Sequence, residues 1–147
     1  MKNRKYQVCD CDPLDCCEHK EKKMVDRERE EYWDKQQAWS IDSMKRPWGE
    51  WHVLDVDQGY KVKRLEILPD QAISLQYHNH RSEHWTIVQG EGKVIVDGNI
   101  FVVKKGESFH VPRMAIHKIT NTHLNEMLIA IEVQMGDICS EEDIVRC

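Results

Sequence analysis

The chain has no run of 18 apolar residues, so no transmembrane helix is expected from it. Its basic start, Met1-Lys2-Asn3-Arg4-Lys5-Tyr6, is followed by no apolar segment. That argues against secretion and makes a cytoplasmic protein the expectation. Positive charge is not in excess either: 21 Lys and Arg face 26 Asp and Glu, a formal net charge of −5. Nucleic-acid-binding domains usually carry a clustered basic surface, so neither nucleic acid nor a membrane is an expected partner. The six cysteines lack the paired C-x2-C spacings of common zinc modules. Four of them, Cys9, Cys11, Cys16 and Cys17, crowd near the N-terminus, and without a secretory signal they read as reduced thiols.

Composition divides what is there into three zones. Residues 1–19 are polar and Cys/Asp-rich with Pro13 in the middle, and read as a flexible tail. Residues 20–45 read as a charged helix and linker: Lys20 to Lys35 carries twelve charges in sixteen positions, and residues 20–39 contain no Gly or Pro. Glu31 and Lys35 are a favourable i,i+4 pair, and Val25, Tyr32 and Trp39 form a thin apolar stripe. Residues 46–147 hold the apolar content needed for a core.

That third zone is a series of short β-type runs. They are Trp51 to Val56, Tyr60 to Leu68, Ala72 to Tyr77, Glu83 to Val88, Lys93 to Val96, Phe101 to Val103, Ser108 to Val111, His117 to Asn121 and Met127 to Gln134. Turn signals separate them, and Asp97-Gly98 is a two-residue hairpin signal. Many short strands at such spacing predict an all-β sandwich or barrel.

Metal-ligand residue types concentrate in Gln76-Tyr77-His78-Asn79-His80-Arg81-Ser82-Glu83-His84-Trp85. Residues i and i+2 of a strand share a face, so Gln76 and His78 project together. Glu83 follows after a tight connection, and His117 opens a later strand. This mixed O/N set suits one divalent ion, Zn2+ first, with Mn2+, Co2+, Fe2+ or Ni2+ as alternatives. A register using His78 and His80 as the pair ranks second, because it leaves only two residues before Glu83. Lys63 shares the parity of Leu65 and Ile67, which puts an ammonium on the inward face of its strand. Val62, Arg64 and Glu66 would then face outward. Glu132 and Gln134 line the cavity if the parity of Leu128 and Ala130 is inward. Trp48, Trp51 and Trp85 read as packing residues, and His52, His110 and His123 as structural.

The spacings resemble the two motifs of the cupin family, G-x5-H-x-H-x3,4-E-x6-G and G-x5-P-x-G-x2-H-x3-N. Here Asp70, Gln76, His78, Glu83 and Gly90 occupy the first, and Gly106, Pro112, Met114, His117 and Asn121 the second. Asp70 and Met114 stand where the family has glycine, and Gln76 where it has histidine. The resemblance implies a double-stranded β-helix, a jelly-roll barrel. A narrower likeness rests on Arg46-Pro47-Trp48-Gly49, Tyr60-Lys61-Val62-Lys63-Arg64, Ser74 to His78, Arg81 to Trp85, Ile131 to Gln134 and Asp143-Ile144-Val145-Arg146. Over about 46–146 the chain looks like the C-terminal cupin domain of type II mannose-6-phosphate isomerases, usually fused behind a mannose-1-phosphate guanylyltransferase domain. The Gly-rich nucleotide loop of that transferase is absent, so guanylyltransfer is not expected.

The likeness implies conversion of mannose 6-phosphate to fructose 6-phosphate through a cis-enediol, with a sugar phosphate as the small-molecule partner and a homodimer as the assembly. In that chemistry His84 and His80 are candidate acid/base groups, and Arg81 is the candidate phosphate or oxyanion partner. Lys63 would hold substrate oxygens or act as a base. The alternative is a non-catalytic sugar- or nucleotide-sugar-binding cupin that assists a separate nucleotidyltransferase.

Overall fold

The computed structural model describes residues 41–147. The tail expected at 1–19 and the helix expected within 20–39 lie outside the described residues. The end of the expected linker is a strand, β1 (Asp42–Arg46), which forms a hairpin with β2 (Gly49–Asp57). Two antiparallel sheets follow from the alternating runs. One has the order β1, β2, β3 (Tyr60–Ile67), β10 (Leu128–Gly136), β5 (Arg81–Gln89) and β8 (Ser108–Val111). The other is β11 (Ile144–Arg146), β4 (Gln76–His78), β9 (His117–Asn121), β6 (Glu91–Val96) and β7 (Asn99–Lys104). Their inner faces share one core, with Leu65, Ile67, Trp85 and Ile87 from the first sheet and Val94, Val103 and Ile119 from the second. This is the jelly-roll architecture that the motifs led us to expect.

Side-chain alternation decides what each strand offers the interior. Along β5, Arg81, Glu83, Trp85 and Ile87 are buried, while His84, Thr86 and Val88 are exposed. Along β3 the buried residues are Lys63, Leu65 and Ile67. On β10, Glu132 and Gln134 continue the buried parity of Leu128 and Ala130.

The expected strand Ala72 to Tyr77 is shortened to Gln76–His78, with Ala72 making only an isolated bridge to Thr120. The residues before it are held by single backbone bonds, such as Ile73 N–H to Ile119 O at 3.1 Å and Asn121 N–H to Gln71 O at 2.8 Å, rather than by a continuous ladder. Asp70 and Met114, the two residues standing in motif glycine positions, both have left-handed backbones, with φ of 56° and 69°. The turn geometry is kept although the glycine is not. At the β6–β7 hairpin, Asp97 (φ 46°) and Gly98 (φ 79°) form the expected turn with two positive φ values.

Candidate metal centre

Three strands converge on one buried point. The tight Asn79-His80 connection brings Glu83 of β5 back toward His78 of β4, and β9 lies beside β4 with His117 as the register partner of Gln76. The ligand atoms of His78, Glu83 and His117 lie within 4.8 Å of one another, and all three residues are buried. Gln76 projects from the same sheet beside His117. Its Oε1 accepts from Ser74 Oγ at 2.9 Å.

The donor set fits a divalent ion on the structure's own terms. His117 Nδ1 lies 2.8 Å from Ala115 O, a pure acceptor, so Nδ1 carries the proton and Nε2 carries the lone pair. That Nε2 is buried without a hydrogen-bond partner, although it stands 3.5 Å from Glu83 Oε2. Burial pushes the His117 pKa below its usual value, with Glu83 and the Ala115 carbonyl opposing, and this favours the neutral ring a metal requires. His78 Nε2 lies 3.0 Å from Glu83 Oε1. An orphaned imidazole nitrogen facing a carboxylate and a second imidazole is a donor set that could hold a divalent ion.

Glu83 sits at the centre of the charge arrangement. Burial alone would raise its pKa, but the His78 hydrogen bond and the His78, His117 and Arg81 charges pull it down to about 2. Arg81 Nε donates to Oε1 at 3.1 Å, and Trp85 Nε1 donates to Oε2 at 3.1 Å. Trp85 Nε1 also lies 3.1 Å from Glu132 Oε2, so one indole links the two carboxylates. Burial and the Glu83 charge push Glu132 up to about 8, against the opposing influence of Lys63, Arg81 and the Gln134 hydrogen bond. Glu132 therefore holds its proton at neutral pH while Glu83 stays ionised.

A cavity of about 240 Å³ opens over this centre and is reached through Gln76 and Glu83. Its walls include Trp51, Lys63, Arg81, Glu132 and Gln134. Lys63 is 3% exposed, pairs with Glu141 Oε1, and places Nζ 4.3 Å from the Trp51 ring centroid.

A family model described as Mannose-6-phosphate isomerase C-terminal matches residues 33–147. The chain belongs to this family. The mannose-1-phosphate guanylyltransferase of Escherichia coli (strain K12) is 40% identical over 101 residues, covering 69% of this chain and 21% of the relative. The alginate biosynthesis protein AlgA of Pseudomonas syringae pv. tomato is 38% identical over the same length, again 69% of this chain and 21% of the relative. The chain thus spans about a fifth of the length of these curated relatives. A cupin-2 domain from Rhodospirillum rubrum superposes with a TM-score of 0.57 at 18% identity, covering 69% of this chain and 77% of that one, and it shows the cupin fold.

For this member of the family, the structure gathers Gln76, His78, Glu83, His117, Lys63 and Arg81 and leaves two expected residues out. His84 lies on the outer face of β5, opposite Glu83, with its ring 4.6 Å from that of His110 on β8. It cannot reach the cavity, because strand parity turns it through the sheet. His80 is exposed in the β4–β5 connection, and its side chain does not line the cavity either. Neither of these two acid/base candidates lines the cavity. Arg81 is inside but engaged: besides Glu83, it donates from Nη1 to Ser140 O at 2.7 Å and lies 3.7 Å from Asp143 Oδ2. Its guanidinium is thus held by protein groups on the Glu83 side of the cavity.

Sequence reasoning gave no role to the segment that closes the site. Asp143 is buried, and its two carboxylate oxygens accept from Asn79 N–H and His80 N–H at 3.1 Å each. It therefore clamps the turn between His78 and Glu83. Glu141, two residues earlier, reaches Lys63. The available signal was the Asp143-Ile144-Val145-Arg146 run, which carries family likeness but no ligand spacing.

Proposed function

We propose that the domain isomerises a phosphorylated aldose and its ketose, mannose 6-phosphate and fructose 6-phosphate, with one divalent ion held by Gln76, His78, Glu83 and His117. The observation that carries this reading is the orphaned His117 Nε2 beside Glu83 and His78, under a cavity lined by proton-carrying groups, in a chain of this family. Two imidazoles, a carboxylate and an amide favour Zn2+, with Mn2+, Co2+, Fe2+ and Ni2+ tolerated by the same donors. A bound ion supplies positive charge where the sugar's oxygens become negative.

The protein residues must bind the sugar, exclude water and move one proton between neighbouring carbons. Lys63 and Glu132 are register partners on β3 and β10, both line the cavity, and both are nearly inaccessible to solvent. Glu132, pushed up to about 8, exchanges its proton near neutral pH: its ionised form is the base that removes the C2 proton, and its protonated form returns that proton to C1. The Lys63 ammonium holds the sugar oxygens, so these two residues replace His80 and His84 in the acid/base task. Trp85 orients Glu132, and Trp51 and Glu141 hold Lys63 in place.

The test is incubation of metal-loaded protein with mannose 6-phosphate, following fructose 6-phosphate. Product is expected, with kcat reduced at least a hundredfold by Lys63→Ala. No product with any of the five metals would overturn the reading. The second reading, a sugar- or nucleotide-sugar-binding domain that assists a separate transferase, is favoured by the guanylyltransferase names of the relatives. Binding of phosphosugar without any turnover would select it.

A further inference from the structure

We propose that Arg46 and Arg146 form the clamp for the substrate's phosphate group, a proposal that rests on the sugar-phosphate reading above and assigns its anionic end. Four cationic side chains line the cavity: Arg46, Lys63, Arg81 and Arg146. Two are engaged within the protein, Lys63 by Glu141 and Arg81 by Glu83 and Ser140 O. The guanidinium groups of Arg46 and Arg146 have no hydrogen bond or ion pair among the described residues, although both residues line the cavity. A guanidinium pair without a protein anion at a cavity mouth is suited to a dianion, which it can grip through parallel N–H bonds.

Register places the pair at a useful distance from the metal centre. Arg146 of β11 is the partner of Gln76 on β4, and Gln76 is the partner of His117 on β9. Register partners across an antiparallel sheet point to the same face, so Arg146, Gln76 and His117 form one row. Neighbouring strands are about 4.8 Å apart, which puts the Arg146 backbone roughly 10 Å from that of His117. A hexose phosphate bridges such a gap, with its carbonyl end at Gln76 and Glu83 and its phosphate beyond. Arg46 ends β1, the edge strand of the other sheet, as β11 is the edge of this one. The dianion would therefore lie between the two sheet edges, gripped from each side.

Charge also fixes the direction of entry. The inner end of the cavity holds the ionised carboxylate of Glu83, and the two cations beside it, Lys63 and Arg81, are already paired with carboxylates, so a phosphate finds its unpaired cations only in Arg46 and Arg146. An arginine-gripped phosphate at the mouth leaves the uncharged end of the sugar to reach the inner groups.

The experiment measures binding and turnover on the full chain loaded with Zn2+, comparing wild type, Arg46→Ala, Arg146→Ala and the double variant, with melting curves to verify folding. Calorimetric titration uses fructose 6-phosphate, inorganic phosphate and unphosphorylated fructose. Each single variant is expected to weaken fructose 6-phosphate binding about tenfold or more, as loss of a charge-assisted bond implies. Inorganic phosphate should weaken in parallel, and any fructose binding should be unchanged. KM for mannose 6-phosphate should rise by the same factor, with kcat changed far less. Folded variants that bind fructose 6-phosphate like wild type would overturn the clamp, even where wild type turns over. A wild type that binds fructose 6-phosphate through these arginines but produces no product would support the clamp and overturn the isomerase reading alone. A wild type that binds no phosphosugar overturns both.

Discussion

A carboxylate at 1% exposure stays ionised only if its neighbours supply donors, and Glu83 has His78, Arg81 and Trp85 around it. Replacing it by Gln leaves the buried Arg81 charge without that partner. Chemical denaturation of metal-free Glu83→Gln should show a loss of about 3 kcal/mol, and elemental analysis should find its metal content collapsed. Glu132 sets a second, opposite dependence. Its folded pKa of about 8 lies above the ordinary value of 4.5, so the native state keeps a proton that the unfolded chain has shed. Stability of the metal-free protein should therefore fall as pH rises from about 5 to 8, by an amount on the order of a few kcal/mol. Melting curves of Glu132→Gln should lack that fall, and a wild-type Tm unchanged across the window would contradict the assignment. Glu83, with its depressed pKa of about 2, works in the other direction: its contribution is present above about 4.5 and disappears as pH drops toward 2. At this scale the sequence was legible wherever strand parity applied, as with Glu83, Lys63 and Glu132. His84 follows Glu83 directly, and adjacent residues on a strand face opposite sides, so parity alone places it on the outer face.

Elements position these residues through turns whose backbone demands are specific. Met114 occupies a left-handed position that the related motif fills with glycine, and it is 55% exposed, so little packing depends on its side chain. Met114→Gly should raise stability by roughly 0.5–1 kcal/mol, the relief of the left-handed backbone exceeding the added freedom of the unfolded chain. Gly136 represents the contrary case. A Cβ there would stand 2.1 Å from His80 O and 2.8 Å from Arg81 Cα, and backbone atoms cannot yield as a side-chain tip can. Gly136→Ala should cost about 3 kcal/mol or more and should weaken metal retention, since it pushes β10 off the start of β5. Denaturant melts with metal analysis check both variants, and a neutral Gly136→Ala would contradict the packing described. The alternating strands β3, β5, β9 and β10 could be read from pattern. β1 and β11 could not: Asp42–Arg46 is mostly exposed on both faces, and three residues of β11 are too few for a period. Their identity as the edges of the cavity is a property of sheet order, which sequence spacing does not encode.

At the largest scale, over the described residues, the two sheets share one apolar core and line a cavity beside a cluster of two histidines and a carboxylate. No helix among the described residues is long and apolar enough to cross a membrane. An ion held by His78, Glu83 and His117 in the native state and not by the unfolded chain would add to stability. Zinc at about a hundred times its Kd should stabilise the protein by about 2.7 kcal/mol, and a chelator should reverse the gain. The measurement that bears most directly on the proposed function follows mannose 6-phosphate by proton NMR in deuterated water with the zinc-loaded protein. Loss of the C2 proton signal together with appearance of fructose 6-phosphate is the predicted result, and it should be abolished in His117→Ala. A phosphosugar that binds yet keeps its C2 proton, with no fructose 6-phosphate formed, would contradict the isomerase account.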